Sequence, residues 1–214
     1  PVARIPGAWL LRLRRTLGSK GPWLVATSFA LYSAQWLAVI GFLPSIAEQA
    51  GMAGAGVASM LALVALVNVL GNVVAGRLLQ RGLAARVLLT GGFSAMAIGA
   101  FVAFSTFGAA SAPDDMLVLR YAGVLLFSMV GGVIPATLFL LAVTLAPDEG
   151  SVSTTVGWMQ QLSALGQFVG PPMVAWVAAL AGGWQWTWVV TGSCCVMGVL
   201  MAGQIGKELV RGTD

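Results

Sequence analysis

The sequence predicts an all-α polytopic membrane protein, with six transmembrane helices arranged as two inverted three-helix repeats. Three observations carry this. The first is where charge is missing. The 214 residues are 58% hydrophobic and 8% charged, with a mean hydropathy of +0.91, whereas a soluble chain carries about 25% charged residues. Residues 21–47, 49–76, 87–113, 121–147 and 150–206 contain no Asp, Glu, Lys or Arg. A bilayer core is about 30 Å thick and takes roughly 20 helical residues to cross, so the first four runs each fit one helix and the last fits two. The second observation is that these runs lack apolar–polar alternation. That excludes a membrane barrel and leaves helices, which satisfy their own backbone in hydrocarbon. The third is an internal echo described below. A soluble enzyme, a disordered chain and a DNA-binding domain are excluded, so no nucleic-acid partner is expected; the lipid bilayer is.

Residues 1–20 form a cytoplasmic basic connector carrying Arg4, Arg12, Arg14, Arg15 and Lys20, with Trp9, Leu10, Leu11, Leu13 and Leu17 between them. This pattern also suits an amphipathic surface helix. The chain begins at Pro1 without an initiator methionine and is read as a piece of something longer. A six-helix bundle follows over 21–206, with spans at roughly 23–47, 57–77, 86–107, 117–145, 152–180 and 185–206. Spans five and six are divided by Gly182-Gly183, a pair suited to a tight turn. Trp184, Trp186 and Trp188 come directly after, as expected at a headgroup boundary, and Trp23 marks the opposite boundary. Residues 207–214 are a cytoplasmic tail. With Arg77, Arg81, Arg86, Lys207 and Arg211 added to the five N-terminal bases, ten fall on one side and Arg120 alone on the other. Lys and Arg stay cytoplasmic, so both termini are expected in the cytoplasm of a multi-pass inner (plasma) membrane protein. Arg120 is read as a snorkelling side chain paired with Asp114 or Asp115.

The echo links Gly41-Phe42-Leu43-Pro44 to Gly132-Val133-Ile134-Pro135, and Leu70-Gly71-Asn72 to Leu165-Gly166-Gln167, with Val74 and Val169 in the second register. It makes repeat one about 23–107 and repeat two about 117–206. A three-span unit must insert its second copy upside down, an arrangement frequent in secondary transporters.

Polar residues inside spans need partners. Tyr32, Gln35 and Trp36 stand at i, i+3 and i+4 in span one. Asn68 and Asn72 are one turn apart in span two, and Gln160, Ser163 and Gln167 share a face of span five. Amides beside aromatic rings suit a small polar or planar ligand; bonding between helices across a dry interface is the alternative. Both stay open. Gly91, Ala95, Gly99 and Ala103 in span three, and Gly198, Ala202 and Gly206 in span six, are read as packing stripes. Pro171-Pro172 predicts a kink. Cys194 and Cys195 are read as small apolar fillers. With no histidine and no acid deep in a span, neither metal nor cofactor is expected. An intramembrane enzyme would need a nucleophile with its base, or a metal site, so the chain is read as no enzyme.

Gly76-Arg77-Leu78-Leu79-Gln80-Arg81, between spans two and three, resembles the cytoplasmic loop signature of the major facilitator superfamily. Gln80 stands where that motif has an acid, and the next base is displaced to Arg86. Tyr32, Phe42-Leu43-Pro44, Gly131-Gly132-Val133-Ile134-Pro135 and Met159-Gln160 together resemble the C-terminal half of cyanate and nitroimidazole transporter-like members, over about Trp23 to Gln204. The resemblance implies half of that fold: an MFS transporter working by alternating access. The partners it implies are a small-molecule substrate and a missing N-terminal six-helix half of the same carrier. It makes Gly76, Gln80 and Arg81 the loop motif, and Tyr32, Gln35, Trp36, Asn68, Asn72, Gln160 and Gln167 this half's share of the pathway. The alternative is a free-standing six-span membrane scaffold or channel subunit that pairs with its own copy.

Overall fold

The structure is a computed structural model describing residues 8–49, 54–105 and 113–211. Its helices are α1 (Ala8–Gly18), α2 (Lys20–Gln49), α3 (Ala55–Gln80), α4 (Ala85–Phe104), α5 (Pro113–Gly131), α6 (Val133–Thr144), α7 (Val152–Ala181) and α8 (Thr187–Arg211). One-turn 3-10 segments at Glu149–Ser151 and Trp184–Trp186 precede the last two. No strand occurs among the described residues. Six stretches are long and apolar enough to cross a bilayer: Lys20–Glu48, Gly56–Gln80, Ala85–Phe104, Leu117–Thr144, Glu149–Ala181 and Trp184–Arg211. The chain is an all-α, multi-pass membrane protein, and each span falls within a few residues of its expected place.

The fourth span is not one helix. It divides at Gly132 into α5 and α6. Pro135 occupies the third position of α6 and has no N–H to give the carbonyl four residues back, which is Gly131. Near a helix start that missing donor costs nothing, and the interruption is a single residue: Gly132 keeps helical dihedrals (φ −59°, ψ −18°) and its N–H bonds Ser128 O at 3.0 Å. Pro171 and Pro172, where a kink was expected, lie inside the continuous α7, and Pro44 lies inside α2.

Lipid tails are as apolar as the helices, so close packing and interhelical hydrogen bonds must hold the bundle. α2 packs on α7 and α8, α4 on α5 and α8, and α3 on α5 and α6. Phe93, Phe127, Met96, Ile134, Leu138 and Met159 are fully buried among them. Glycines set the closest approaches. Gly166 and Gly170 of α7 lie on the carbonyls of Ala30 and Ala34 in α2. Gly71 of α3 lies on the carbonyl of Met129 and beside Gly132. The span-six stripe packs as expected: a Cβ on Gly198 would stand 2.5 Å from the Phe93 ring, and Ala202 is fully buried. The span-three stripe does so only in its second half. Gly99 meets Gly123 and Ala103 is buried, whereas Gly91 is exposed and Gly92 packs on Val133 and Ile134.

Turns are closed by glycines at positive φ. Gly82 (φ 85°) follows α3; Leu83 N–H donates to Leu78 O and Gly82 N–H to Leu79 O, both at 3.0 Å, the paired bonds of a Schellman cap. Gly182 (φ 71°) ends α7, with Gly183 N–H donating to Ala178 O at 2.9 Å. Basic residues gather at one end of the bundle. There Arg15 pairs with Asp148 at 3.0 Å, Lys20 with Glu208 at 3.6 Å, and the Arg86 stem crosses Gly206. α1 rests on this end with Thr16 buried and Trp9, Leu10, Leu11 and Leu17 exposed. Arg120 is exposed at the opposite end; the side chains of Asp114 and Asp115, its expected partners, lie outside the described residues.

Candidate functional site

Midway along α2 and α3, and near the C-terminal end of α5, lies a hydrogen-bonded polar cluster. Asn68, at the centre of α3, uses both hydrogens of its amide: Nδ2 donates to Tyr32 Oη at 3.0 Å and to Ser128 O at 2.8 Å. Trp36 Nε1 donates to Ser128 Oγ at 3.3 Å, and that hydroxyl donates to Val64 O at 2.7 Å. Asn72 Nδ2 reaches back to Asn68 O at 3.1 Å and Asn68 Oδ1 at 3.4 Å. Phe29 stacks on Tyr32 with ring centroids 6.1 Å apart. Three spans are thus tied by one asparagine, which is how buried amides act when hydrocarbon offers no competing water.

The cluster has capacity left over. Tyr32 Oη accepts from Asn68, and its own proton meets no acceptor among the described residues. Asn68, Asn72 and Trp36 are each part-exposed. A tyrosine donor, amide acceptors and an indole wall together suit a small planar or polar solute.

A second polar group joins α2 to α7. Ser163 Oγ donates to Ser33 Oγ at 3.0 Å, Gln167 Nε2 donates to Ser163 Oγ at 3.2 Å, and Ser33 Oγ bonds Phe29 O at 2.6 Å. Beyond Ser163 the outer surface of α7 carries Gln160, Gln161 and Gln167, all exposed, interleaved with Gly157 and Ala164. Spacings of three and four residues put these on one face.

Of the seven expected pathway residues, the structure brings Tyr32, Trp36, Asn68 and Asn72 together and sets Gln160 and Gln167 on the α7 face. Gln35 belongs to neither. It is 2% exposed at the α2–α8 interface, donating from Nε2 to Leu31 O at 3.1 Å and accepting from the Cys195 thiol at 3.1 Å. Its role is that of the dry-interface alternative, and Cys195 is more than filler. Ser128 went unnoticed in the sequence; the signal was its place one turn before Gly132, on the face that meets α3. Gly76, Gln80 and Arg81 lie at the end of α3, where Arg81 N–H caps the helix by bonding Arg77 O at 3.1 Å.

A cavity of about 470 Å³ lies elsewhere. It opens at the Arg120 end between α2, α3, α4, α5 and the α7–α8 turn, lined by Leu43, Met60, Phe104, Tyr121, Trp184 and Gln185 among others. None of the seven candidates lines it. The mid-depth cluster is packed within this chain: Tyr32 is buried, and only Trp36, Asn68 and Asn72 reach the surface in part. Compared with models of known protein families and with curated proteins, the chain matches none of either.

Proposed function

We propose that this chain is the C-terminal six-helix half of a major facilitator-type secondary transporter. In this reading it moves a small solute across the inner membrane by alternating access against a second six-helix bundle. The α7 amide face carries the reading. At ~1.5 Å per residue, Gln160 and Gln167 lie about 12 and 22 Å along α7 from Val152, well within a span, yet both are exposed. Gln167 also bonds Ser163 Oγ, and Phe168 is exposed among these amides. An amide in hydrocarbon with unmet hydrogen bonds costs on the order of 4 kcal/mol, so the Gln160 and Gln161 end of this face favours water or another polar surface. A pathway between two bundles offers both, and the mid-depth cluster supplies ligand groups beside it.

Two further observations support this. Exchanging spans one to three with spans four to six carries the packing onto itself: α3 on α5–α6 becomes α7 on α2, and α4 on α8 is its own image. Inverted repeats would leave this pattern. The collection of bases at one end agrees with both termini in the cytoplasm. The residues resembling cyanate and nitroimidazole transporter-like proteins include Gly131 through Pro135, the stretch that breaks span four. No step of such a cycle makes or breaks a covalent bond.

The test is uptake into vesicles by the intact carrier. Gln160→Leu and Gln167→Leu should each lower uptake about tenfold, the worth of one lost hydrogen bond of roughly 1.4 kcal/mol, with membrane abundance unchanged. Normal uptake in both removes the α7 face from the pathway. The same exposed face also suits a free-standing scaffold or channel subunit paired with its own copy; spontaneous disulfide dimers of Gln167→Cys, formed without a second bundle, would favour that reading.

A further inference from the structure

We propose that the α4–α8 end of the bundle binds the phosphate headgroup of an anionic lipid. The proposal stands apart from transport and from the orientation in the membrane. Arg86, in the first turn of α4, and Lys207 and Arg211, in the last turns of α8, border one shallow cavity of about 340 Å³ with Gly206 and Val210. The backbone is shaped for this meeting. A Cβ at Gly206 would stand 2.6 Å from Arg86 Cδ, so the glycine leaves the flexible arginine stem room to cross α8 and bring its charge beside the two others.

Among the described residues no carboxylate forms an ion pair with these three cations; Glu208, next to Lys207, lies 3.6 Å from Lys20 instead. α4 also starts without a side-chain cap, because Ala84 occupies the capping position. Its first-turn N–H groups and the positive end of its dipole therefore add to the field. An anion is the complement of this site. The surface that leads to it says which anion. Val196 and Leu200 are exposed on the face of α8 that ends at Lys207, and Val87 and Ile98 are exposed on α4 alongside. A free phosphate gains nothing from an aliphatic strip. A phospholipid lays its chains along it while the headgroup reaches the cations.

The experiment uses the full chain in neutral detergent, with phosphatidylglycerol or phosphatidylcholine of the same chains added and bound lipid read by native mass spectrometry. Each cation at an anionic surface contributes about 1 kcal/mol, roughly fivefold in binding. Phosphatidylglycerol should be retained at least about fivefold over phosphatidylcholine. The triple variant Arg86→Gln, Lys207→Gln, Arg211→Gln should lose at least about tenfold, whereas Arg120→Gln, at the other end, should bind as the parent does. Equal retention of the two lipids, equal binding by the triple variant, or an equal loss in Arg120→Gln overturns the site. Glycerophosphate or inorganic phosphate at millimolar concentration should leave the lipid bound; displacement by either means a soluble-anion site and overturns the lipid assignment. Should the triple variant fail to fold by circular dichroism, Arg211→Gln alone, at the final residue of α8, carries the test with an expected loss of about fivefold.

Discussion

The two least buried spans, α3 and α7, are alike in how they attach and differ in where their amides point. Each leans on its neighbour through glycine, α3 at Gly71 and α7 at Gly166 and Gly170. α3 turns its amides inward, Asn68 to Tyr32 and Ser128, and exposes Leu63, Leu66, Val69, Leu70, Val73 and Val74. α7 turns a serine inward, with Gln167 bonded to it, and exposes Gln160, Gln161 and Gln167 among Leu165, Phe168, Val169, Met173, Trp176 and Leu180. Composition alone marks both as membrane spans. The direction of their polar groups relative to the packed face separates a wholly apolar outer surface from one in which amides are set among apolar side chains.

The shared attachment gives the largest expected effect. Gly71→Leu and Gly170→Leu each force a side chain into a neighbouring backbone, and overpacking of this kind costs about 1–3 kcal/mol or more. Thermal unfolding in detergent should show both losses; a parent-like Gly71→Leu would mean that α3 and α7 do not share the device. The opposed faces give the next effect. Asn68→Leu removes bonds to two other helices and should cost on the order of 1 kcal/mol, while Gln161→Leu on the outer face of α7 should leave stability unchanged. A destabilised Gln161→Leu would place that residue in an internal contact and erase the contrast.

The smallest effect distinguishes how the two spans begin. The segment leading into α7 is tied to α1 through Asp148. Its carboxyl is held below the ordinary range, first by the Ser151 hydroxyl and then by its bond to Arg15. A depressed pKa in the folded state means that the tie is in place above the usual carboxylate value of about 4 and is lost as pH falls through the lowered value. Trp9 and Trp23 fluorescence, followed during acidification, should report this release. In Ser151→Ala the midpoint should move up toward the usual value, and a midpoint that stays put would mean that the hydroxyl does not hold the carboxylate.

The six spans were legible because bilayer thickness sets their length whatever else the sequence does. Details that depend on neighbours were less so. Tyr32, Gln35 and Trp36 look like one face, but Gln35 and Trp36 are about 100° apart around the helix. That arc is wide enough to reach two interfaces, and Gln35 faces α8. The four-residue stripe of α4 drifts for a similar reason: over twelve residues it turns by about 120°, so Gly91 leaves the interface that holds Ala103. The shorter α8 stripe turns about 80° and stays packed. Prolines alone do not mark where a helix is interrupted. Pro171-Pro172 sits in an unbroken helix, while the interruption before Pro135 falls where Gly131-Gly132 meets α3 and α4. Ser128 was invisible as a lone hydroxyl in an apolar run, since only the approach of α3 at Gly132 gives it partners.

That interruption has a further consequence. α5 has 19 residues and α6 has 12, each short of the roughly 20 needed to cross the hydrocarbon alone. The bilayer meets a complete fourth span only while the two rods stay stacked end to end. No side chain bridges the joint; it is gripped from outside, by the Asn68 carbonyl against Gly132 and the Met96 thioether against Gly131. The fourth span's own backbone also crosses the joint through Gly132 N–H to Ser128 O at 3.0 Å, so the shape of this passage is set jointly by that bond and by spans two and three.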